Sequence, residues 1–199
     1  MNSDAALLDR WRAGDRDAGN ALLSRYFESL YRFFRNKVGD QAEDLVQRTL
    51  TACLAAPAQF RGDASFRSYL FRIARNELYR HFKRGRRAFD PLEHSVADLD
   101  VSMTDWVASQ RSREALLLAL RRLPLDLQIV LELHYWEDMS MTEIGEVLEI
   151  PTGTAKSRMR RAREALRAVL PEFLDDANDV ESSLDDLEAW AVAVRDAVG

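Results

Sequence analysis

The sequence predicts an all-α chain: two small helical domains joined by a flexible linker and followed by an acidic helical tail. Three observations carry this expectation. Gly (8) and Pro (5) are scarce among 199 residues, while Ala, Leu, Arg and Glu are plentiful, a mixture that favours helices over sheets. No alternating run of Val, Ile and Thr offers a convincing strand. Apolar residues instead recur at three-to-four spacing in two stretches, separated by an acidic segment without periodicity. With 47% hydrophobic residues, real cores can form and wholesale disorder is not expected.

Residues 4–36 read as two helices broken near Gly14 and Gly19. The first carries Ala6, Leu7 and Trp11; the second carries Leu22, Leu23, Tyr26, Leu30 and Phe33. Gly39-Asp40 marks a turn, and a third helix spans about 41–54. Its apolar stripe is Ala42, Leu45, Val46, Leu50 and Cys53, with Glu43, Asp44, Gln47 and Arg48 facing outward. Pro57 ends it. After a short loop at 60–65, Ser65 is a plausible cap for a long helix reaching about residue 84. Phe66, Leu70, Ile73 and Ala74 supply its buried face, and Arg67, Arg72, Arg75, Asn76, Tyr79, Arg80 and Lys83 its other face.

Residues 88–108 lose periodicity, become acidic and read as a linker. Helical pattern returns near Ser109 with Ala115, Leu116, Ala119, Leu120 and Leu123, and Pro124 restarts the chain into a helix bearing Leu127, Val130, Leu131 and Leu133. Ser140-Met141-Thr142-Glu143 has the form of a capping box, opening a short helix that buries Ile144, Val147 and Leu148. Ile150-Pro151 breaks it, and 152–154 open another helix that buries Ala155, Met159, Ala162, Leu166 and Leu170. The opposite face of this last helix carries Lys156, Arg158, Arg160, Arg161 and Arg163. Two short helices, a tight turn and a basic second helix make a helix-turn-helix.

The net charge of −5 conceals strong segregation. Residues 61–87 carry net +7 and residues 152–170 net +5, whereas 88–112 carry −4, 113–151 carry −5 and 171–199 carry −8. Two basic blocks in an acidic chain are a footprint of local phosphate contact. The first also interleaves Phe60, Phe66, Tyr69 and Tyr79 with Arg61, Arg67, Arg72, Arg75, Arg80 and Lys83. Aromatic rings accept unstacked bases and cations neutralise a strand's phosphates, so this block suits opened DNA. Phe66 and Tyr69 have an alternative reading as core residues.

Several function classes fare badly. The lone Cys53 excludes an internal disulfide framework and a Cys-rich zinc site, and its spacing suits a buried small hydrophobe. His81, His94 and His134 are scattered, no glycine-rich phosphate loop appears, and the carboxylates show no paired spacing for acid–base work. An enzyme and a cofactor are therefore not expected. No apolar run approaches a membrane span and residues 1–4 lack the start of a signal peptide, so a cytoplasmic protein without membrane insertion is expected.

Four strings resemble the extracytoplasmic-function (ECF) branch of the bacterial sigma-70 family. They are Ala42-Glu43-Asp44-Leu45-Val46-Gln47, the stretch from Phe66-Arg67-Ser68-Tyr69 to Ala74-Arg75-Asn76, Leu120-Arg121-Arg122-Leu123-Pro124, and Glu143-Ile144 with the run from Ile150 to Arg163. They stand in the family's order and spacing, covering about residues 5–87 and 109–170.

The resemblance implies a region 2-like domain at 1–87, an acidic linker at 88–108, a region 4-like helix-turn-helix domain at 109–170 and an acidic extension at 171–199. It implies a sigma factor that binds core RNA polymerase, recognises the −35 and −10 elements and melts promoter DNA. Asp44, Gln47, Arg48 and Thr51 would dock on the polymerase clamp coiled coil, with the flap as a further polymerase contact. Phe60, Arg61, Asp63, Ser65, Arg67, Tyr69, Arg72, Arg75, Asn76, Tyr79, Arg80 and Lys83 would serve the −10 element. Thr152, Thr154, Lys156, Ser157, Arg158, Arg160 and Arg161 would serve the −35 element, where recognition-helix residues reach base edges. An anti-sigma factor is the implied inhibitory partner.

Three positions depart from the family pattern. Tyr69 stands where Trp is frequent, Arg80 where Asp is common, and Glu149 where the turn often has a small residue. By resemblance the linker threads toward the polymerase active-site cleft; a solvated tether is the alternative. The tail either folds back on a basic surface and restrains DNA binding, or serves solubility or partner binding. A stand-alone helix-turn-helix regulator is the competing function, though a binder of duplex alone has little use for the block at 60–84.

Overall fold

The computed structural model describes residues 3–55, 65–84, 88–99 and 111–173. Helices dominate, and the one β feature among the described residues is an isolated bridge between Ser95 and Pro124. The N-terminal half contains α1 (Asp4–Arg12), α2 (Arg16–Ser24), α3 (Phe27–Val38), α4 (Ala42–Ala55) and α5 (Phe66–Lys83). The C-terminal half contains α6 (Arg111–Arg122), α7 (Leu125–Tyr135), α8 (Met141–Leu148) and α9 (Thr152–Val169).

The helix boundaries follow local chemistry. Ser3, Asp15, Ser65 and Ser140 cap α1, α2, α5 and α8, each accepting from a backbone N–H three residues on and so satisfying one of the amides a helix start leaves unpaired. At Ser140 the capping box is complete, because Glu143 accepts in return from the Ser140 amide at 2.9 Å. Gly14, at φ +98°, lets the chain turn between α1 and α2. Pro171 stands in a 3-10 turn that ends α9.

One expected break is absent. The segment 4–36 holds three helices, and Gly19 lies inside α2 and is buried. A Cβ at Gly19 would come within 2.8 Å of the Trp11 ring, so this glycine serves the close packing of α1 on α2. The second interruption falls instead at residues 25–26.

A continuous apolar core runs through both halves, from Leu7 on α1 to Leu170 beyond α9. Helix α5 lies at its centre: it packs against α4 on one side and α8 on the other. The buried face of α5 is accordingly wider than its spacing predicts, taking in Tyr69, Phe71, Leu78 and Phe82 beside Phe66, Leu70 and Ala74, while Ile73 is half-buried.

The first part of the expected linker is folded onto the domains. Phe89 packs against Tyr79, Phe82 and His94, and Val96 is fully buried. The Pro91 and His94 carbonyls accept from the amides of Asp126 and Leu125, satisfying the start of α7, where Pro124 offers no side-chain cap. Asp98 accepts from the Ser95 amide and hydroxyl, closing a local turn. Residues 88–99 therefore do not form a solvated tether in this arrangement. Pro57, residues 100–108 and the tail from 174 onward lie outside the described residues.

Candidate nucleic-acid interface

Helices α8 and α9 form the expected helix-turn-helix. The turn depends on Glu149, whose left-handed backbone (φ +56°, ψ +43°) ends α8 and is the conformation that usually selects glycine. Gly145 faces this turn, and a Cβ there would meet the Ile150 carbonyl oxygen at 2.8 Å. Ala155, Met159, Ala162 and Leu166 bury one side of α9. Lys156, Arg160 and Arg161 project into solvent, and Thr152, Thr154 and Ser157 lie half-buried along the first turns. The Ser157 hydroxyl donates back to the Thr154 carbonyl at 2.9 Å, and Arg160 pairs with Glu164 at 2.9 Å.

Arg158 departs from the expected open face. Its guanidinium turns inward, 12% exposed, and pairs with Asp126 of α7. The spacing hides this because Arg158 follows the buried stripe by only three residues from Ala155 and precedes Met159, so it lies on the boundary of the stripe.

The α5 surface is more deeply committed. Arg75 is buried, donating to the Val147 carbonyl at 2.7 Å and pairing with Glu149, both in the C-terminal half. Tyr79 donates its hydroxyl to Asp126, and burial beside that carboxylate pushes its phenol well above the ordinary range. Arg67 pairs with Glu143 at 3.5 Å and donates to the Asp138 carbonyl. Tyr69 belongs to the core, with Arg72 placed over its ring at 5.5 Å. Asn76 accepts from Arg75, Ser65 caps the helix, Arg80 pairs with Glu77, and Lys83 is exposed. Phe60, Arg61 and Asp63 lie outside the described residues.

On α4 the outward face is as the spacing predicts. Asp44, Gln47 and Thr51 are exposed, and Arg48 pairs with Asp44 one turn away at 2.7 Å. Cys53 is buried on the opposite side, and burial pushes its thiol up to about 12, as expected of an inert packing residue.

Comparison with known proteins places this architecture. Residues 22–88 match the model of Sigma-70 region 2, and residues 113–166 match that of Sigma-70, region 4. The RNA polymerase sigma-H factor of Pseudomonas aeruginosa is 31% identical over 190 residues, covering 89% of this chain and 98% of that protein. The chain belongs to the sigma-70 family, in its ECF branch. The ECF sigma-E factor of Escherichia coli K12 is 30% identical over 177 residues, covering 82% of this sigma factor and 92% of its own length. Among solved structures, CnrH in complex with the cytosolic domain of CnrY matches with a TM-score of 0.65 at 27% identity, covering 88% of this chain and all of that one. The sigma factor RpoE in complex with the anti-sigma factor NepR, from Bartonella quintana, matches at 0.59 and 25% identity, covering 79% and 98%. This sigma factor is thus an RNA polymerase initiation factor with both a region 2 and a region 4.

Sequence reasoning missed the ion pairs between the two regions. Lys37 of α3 and Glu132 of α7 form a pair with no access to solvent for the lysine. A signal was available: Lys37 falls on the apolar stripe of Phe33, Phe34 and Val38, and Glu132 interrupts the run from Ile129 to Leu133. Arg32 pairs with Glu137 across the same boundary at 3.3 Å. Burial is the largest influence on Glu137, and it raises that carboxyl despite Arg32.

Proposed function

We propose that this sigma factor divides its work among three surfaces. The exposed face of α4, through Asp44, Gln47, Arg48 and Thr51, docks on the clamp coiled coil of core polymerase. Helix α5 and the loop before it hold the opened −10 element, and the N-terminal turns of α9 read the −35 duplex while the same domain contacts the flap. The domain boundaries are 1–87, 88–108, 109–170 and 171–199.

The observation that carries this reading is the solvent-facing trio Lys156, Arg160 and Arg161 at the end of a complete helix-turn-helix. Cations there can meet phosphate or pair with guanine in the major groove. The protein acts by binding, without catalysis or a cofactor of its own, and works in the cytoplasm; among the described residues no helix is long and apolar enough to cross a membrane. An anti-sigma factor is its inhibitory partner, a reading supported by the complex in which RpoE was solved with the anti-sigma factor NepR.

Run-off transcription from fragmented host DNA, using bacterial core polymerase with and without the protein, tests this. New transcripts sharing two upstream elements are expected. Duplex binding by the protein alone, with no polymerase-dependent transcript, would instead favour a stand-alone regulator.

A further inference from the structure

Helix α9 carries more exposed cations than the reading of bases requires. Lys156, Arg160, Arg163 and Arg167 recur every three to four residues and are all exposed, so they form one stripe. It runs about 16 Å along the helix, from the turns that reach base edges back toward the C-terminal end. Arg160 pairs with Glu164 at 2.9 Å, both well exposed, which is a weak contact. Arg163 lies over the Tyr135 ring at 5.6 Å. Among the described residues, no carboxylate pairs with Lys156, Arg163 or Arg167.

The chain leaves the domain at that same C-terminal end. The turn Leu170–Glu172 follows α9 directly, Glu172 pairs with Arg122 of α6 at 3.1 Å, and Phe173 packs on the core. Residues 174–199 then hold eight carboxylates against the single Arg195. Glu181, Asp185 and Glu188 stand at helical spacing beside the apolar series Leu184, Leu187, Ala191 and Val194. The stretch from 173 to 181 can span roughly 26 Å, more than the length of the stripe, so these acids can reach any part of it. We propose that the acidic tail docks along the cationic stripe of α9 through Glu181, Asp185 and Glu188, and competes there with duplex phosphates. The competition rests on the assignment of α9 to duplex DNA. Phosphates and tail carboxylates oppose the same cations, so apparent affinity for duplex falls with the fraction of molecules whose stripe is clear. Sequence-blind binding loses most by this, because it draws its affinity from phosphate contact alone.

Two measurements on the full chain test this. Lysine is rare in the sequence, and of Lys37, Lys83 and Lys156 only the last two are exposed. A zero-length carbodiimide joins a carboxylate to Lys156 only when the two are in contact, and peptide mass spectrometry reads the joined pair. Arg163→Lys and Arg167→Lys extend the series of amines along the stripe with its charge kept. The second measurement is affinity for a random-sequence duplex. Glu181→Gln, Asp185→Asn and Glu188→Gln are made together in the full-length chain. Asp17→Asn, Glu28→Gln and Glu43→Gln, all at exposed positions of the N-terminal half, form a control with the same change of net charge.

Crosslinks from Lys156 and the added lysines to residues 175–188 are expected. Duplex binding should tighten about tenfold with the tail substitutions and less than about twofold in the control. Tail crosslinks confined to Lys83 would overturn the proposal by putting the acids on the other basic block, and their complete absence would overturn it too. So would equal tightening in the two sets, since net charge alone would then explain the gain, or no tightening in either. Failure of the α9 assignment would show elsewhere: Lys156→Ala with Arg161→Ala would leave −35-dependent transcription by the assembled polymerase untouched.

Discussion

Tyr79 of α5 donates its hydroxyl to Asp126 of α7, and Arg158 of the recognition helix pairs with the other oxygen of the same carboxylate. One buried acid at the start of α7 thus ties together one residue from each expected DNA surface. Asp126 also lies in the first turn of its helix, where a negative charge is favoured by the helix dipole.

Removing the carboxylate strands two half-buried donors. Asp126→Ala should lower stability by about 3 kcal/mol, in the range for breaking a buried pair, whereas Tyr79→Phe should cost about 1 kcal/mol, the usual net worth of one hydrogen bond. Urea midpoints of the two variants give the ratio; equal losses would show that the carboxylate does not serve both partners.

The Lys37–Glu132 pair should behave non-additively. Burial pulls the Lys37 ammonium downward in pKa and the Glu132 charge opposes that pull. Lys37 also donates to the Phe33 carbonyl, and Glu132 accepts from Gln128 and Asn36. Lys37→Met alone should cost about 3–5 kcal/mol by leaving a carboxylate buried without its cation. Lys37→Met combined with Glu132→Gln should recover at least half, since the amide oxygen still accepts from Gln128. A double-mutant cycle reads the coupling directly.

Two glycines of the helix-turn-helix should respond with opposite signs. At Gly145 an added Cβ meets the backbone oxygen of Ile150 at 2.8 Å, and backbone cannot rotate away, so Gly145→Ala should destabilise by about 1–3 kcal/mol. At Gly153 nothing lies within 4 Å, and Gly153→Ala should stabilise by about 0.5–1 kcal/mol through helix propensity. Thermal melting of both variants is sufficient to decide.

The acid response has a defined sign. The Ser95 hydroxyl and amide hold Asp98 below the ordinary carboxylate value, and the Ala18 amide followed by Arg10 does the same for Asp15. Each folded pKa is below the unfolded one, so their stabilisation is fully present above about pH 4. It is lost as pH falls through the lowered values. Asp15→Asn and Asp98→Asn should therefore melt earlier near neutrality and show a flatter acid limb; unchanged pH dependence would contradict this origin.

Much of the fold was legible because it is set locally. Capping at Ser65 and Ser140, the stripe of α9 and the boundary at Pro124 all follow from residues a few positions apart, and the structure has them where spacing put them. The outward face of α4 was legible for the same reason. Gly19 was misread because its role depends on the Trp11 ring, eight residues earlier in the chain, and not on backbone freedom. Arg75 and Arg158 lie at helix positions that periodicity assigns to solvent. Their burial depends on Glu149 and Asp126, 74 and 32 residues away, and no local pattern encodes such a distance. The folded segment 88–99 escaped for a related reason: its order comes from carbonyls that satisfy the start of α7.

The one-sided charge of the interdomain contact also bears on how the chain is made. Its cations lie at positions 32 to 75 and their carboxylate partners at 132 to 149. Synthesis runs from the N-terminus, and domains commonly fold as they emerge. Region 2 is therefore complete, and carries its excess of arginine, before any of those carboxylates has been translated. During that interval the nascent polypeptide presents an uncovered polycation beside the RNA of its own ribosome. Exchanging the order of the two regions by circular permutation would reverse the sequence of events and let the acidic half be present first.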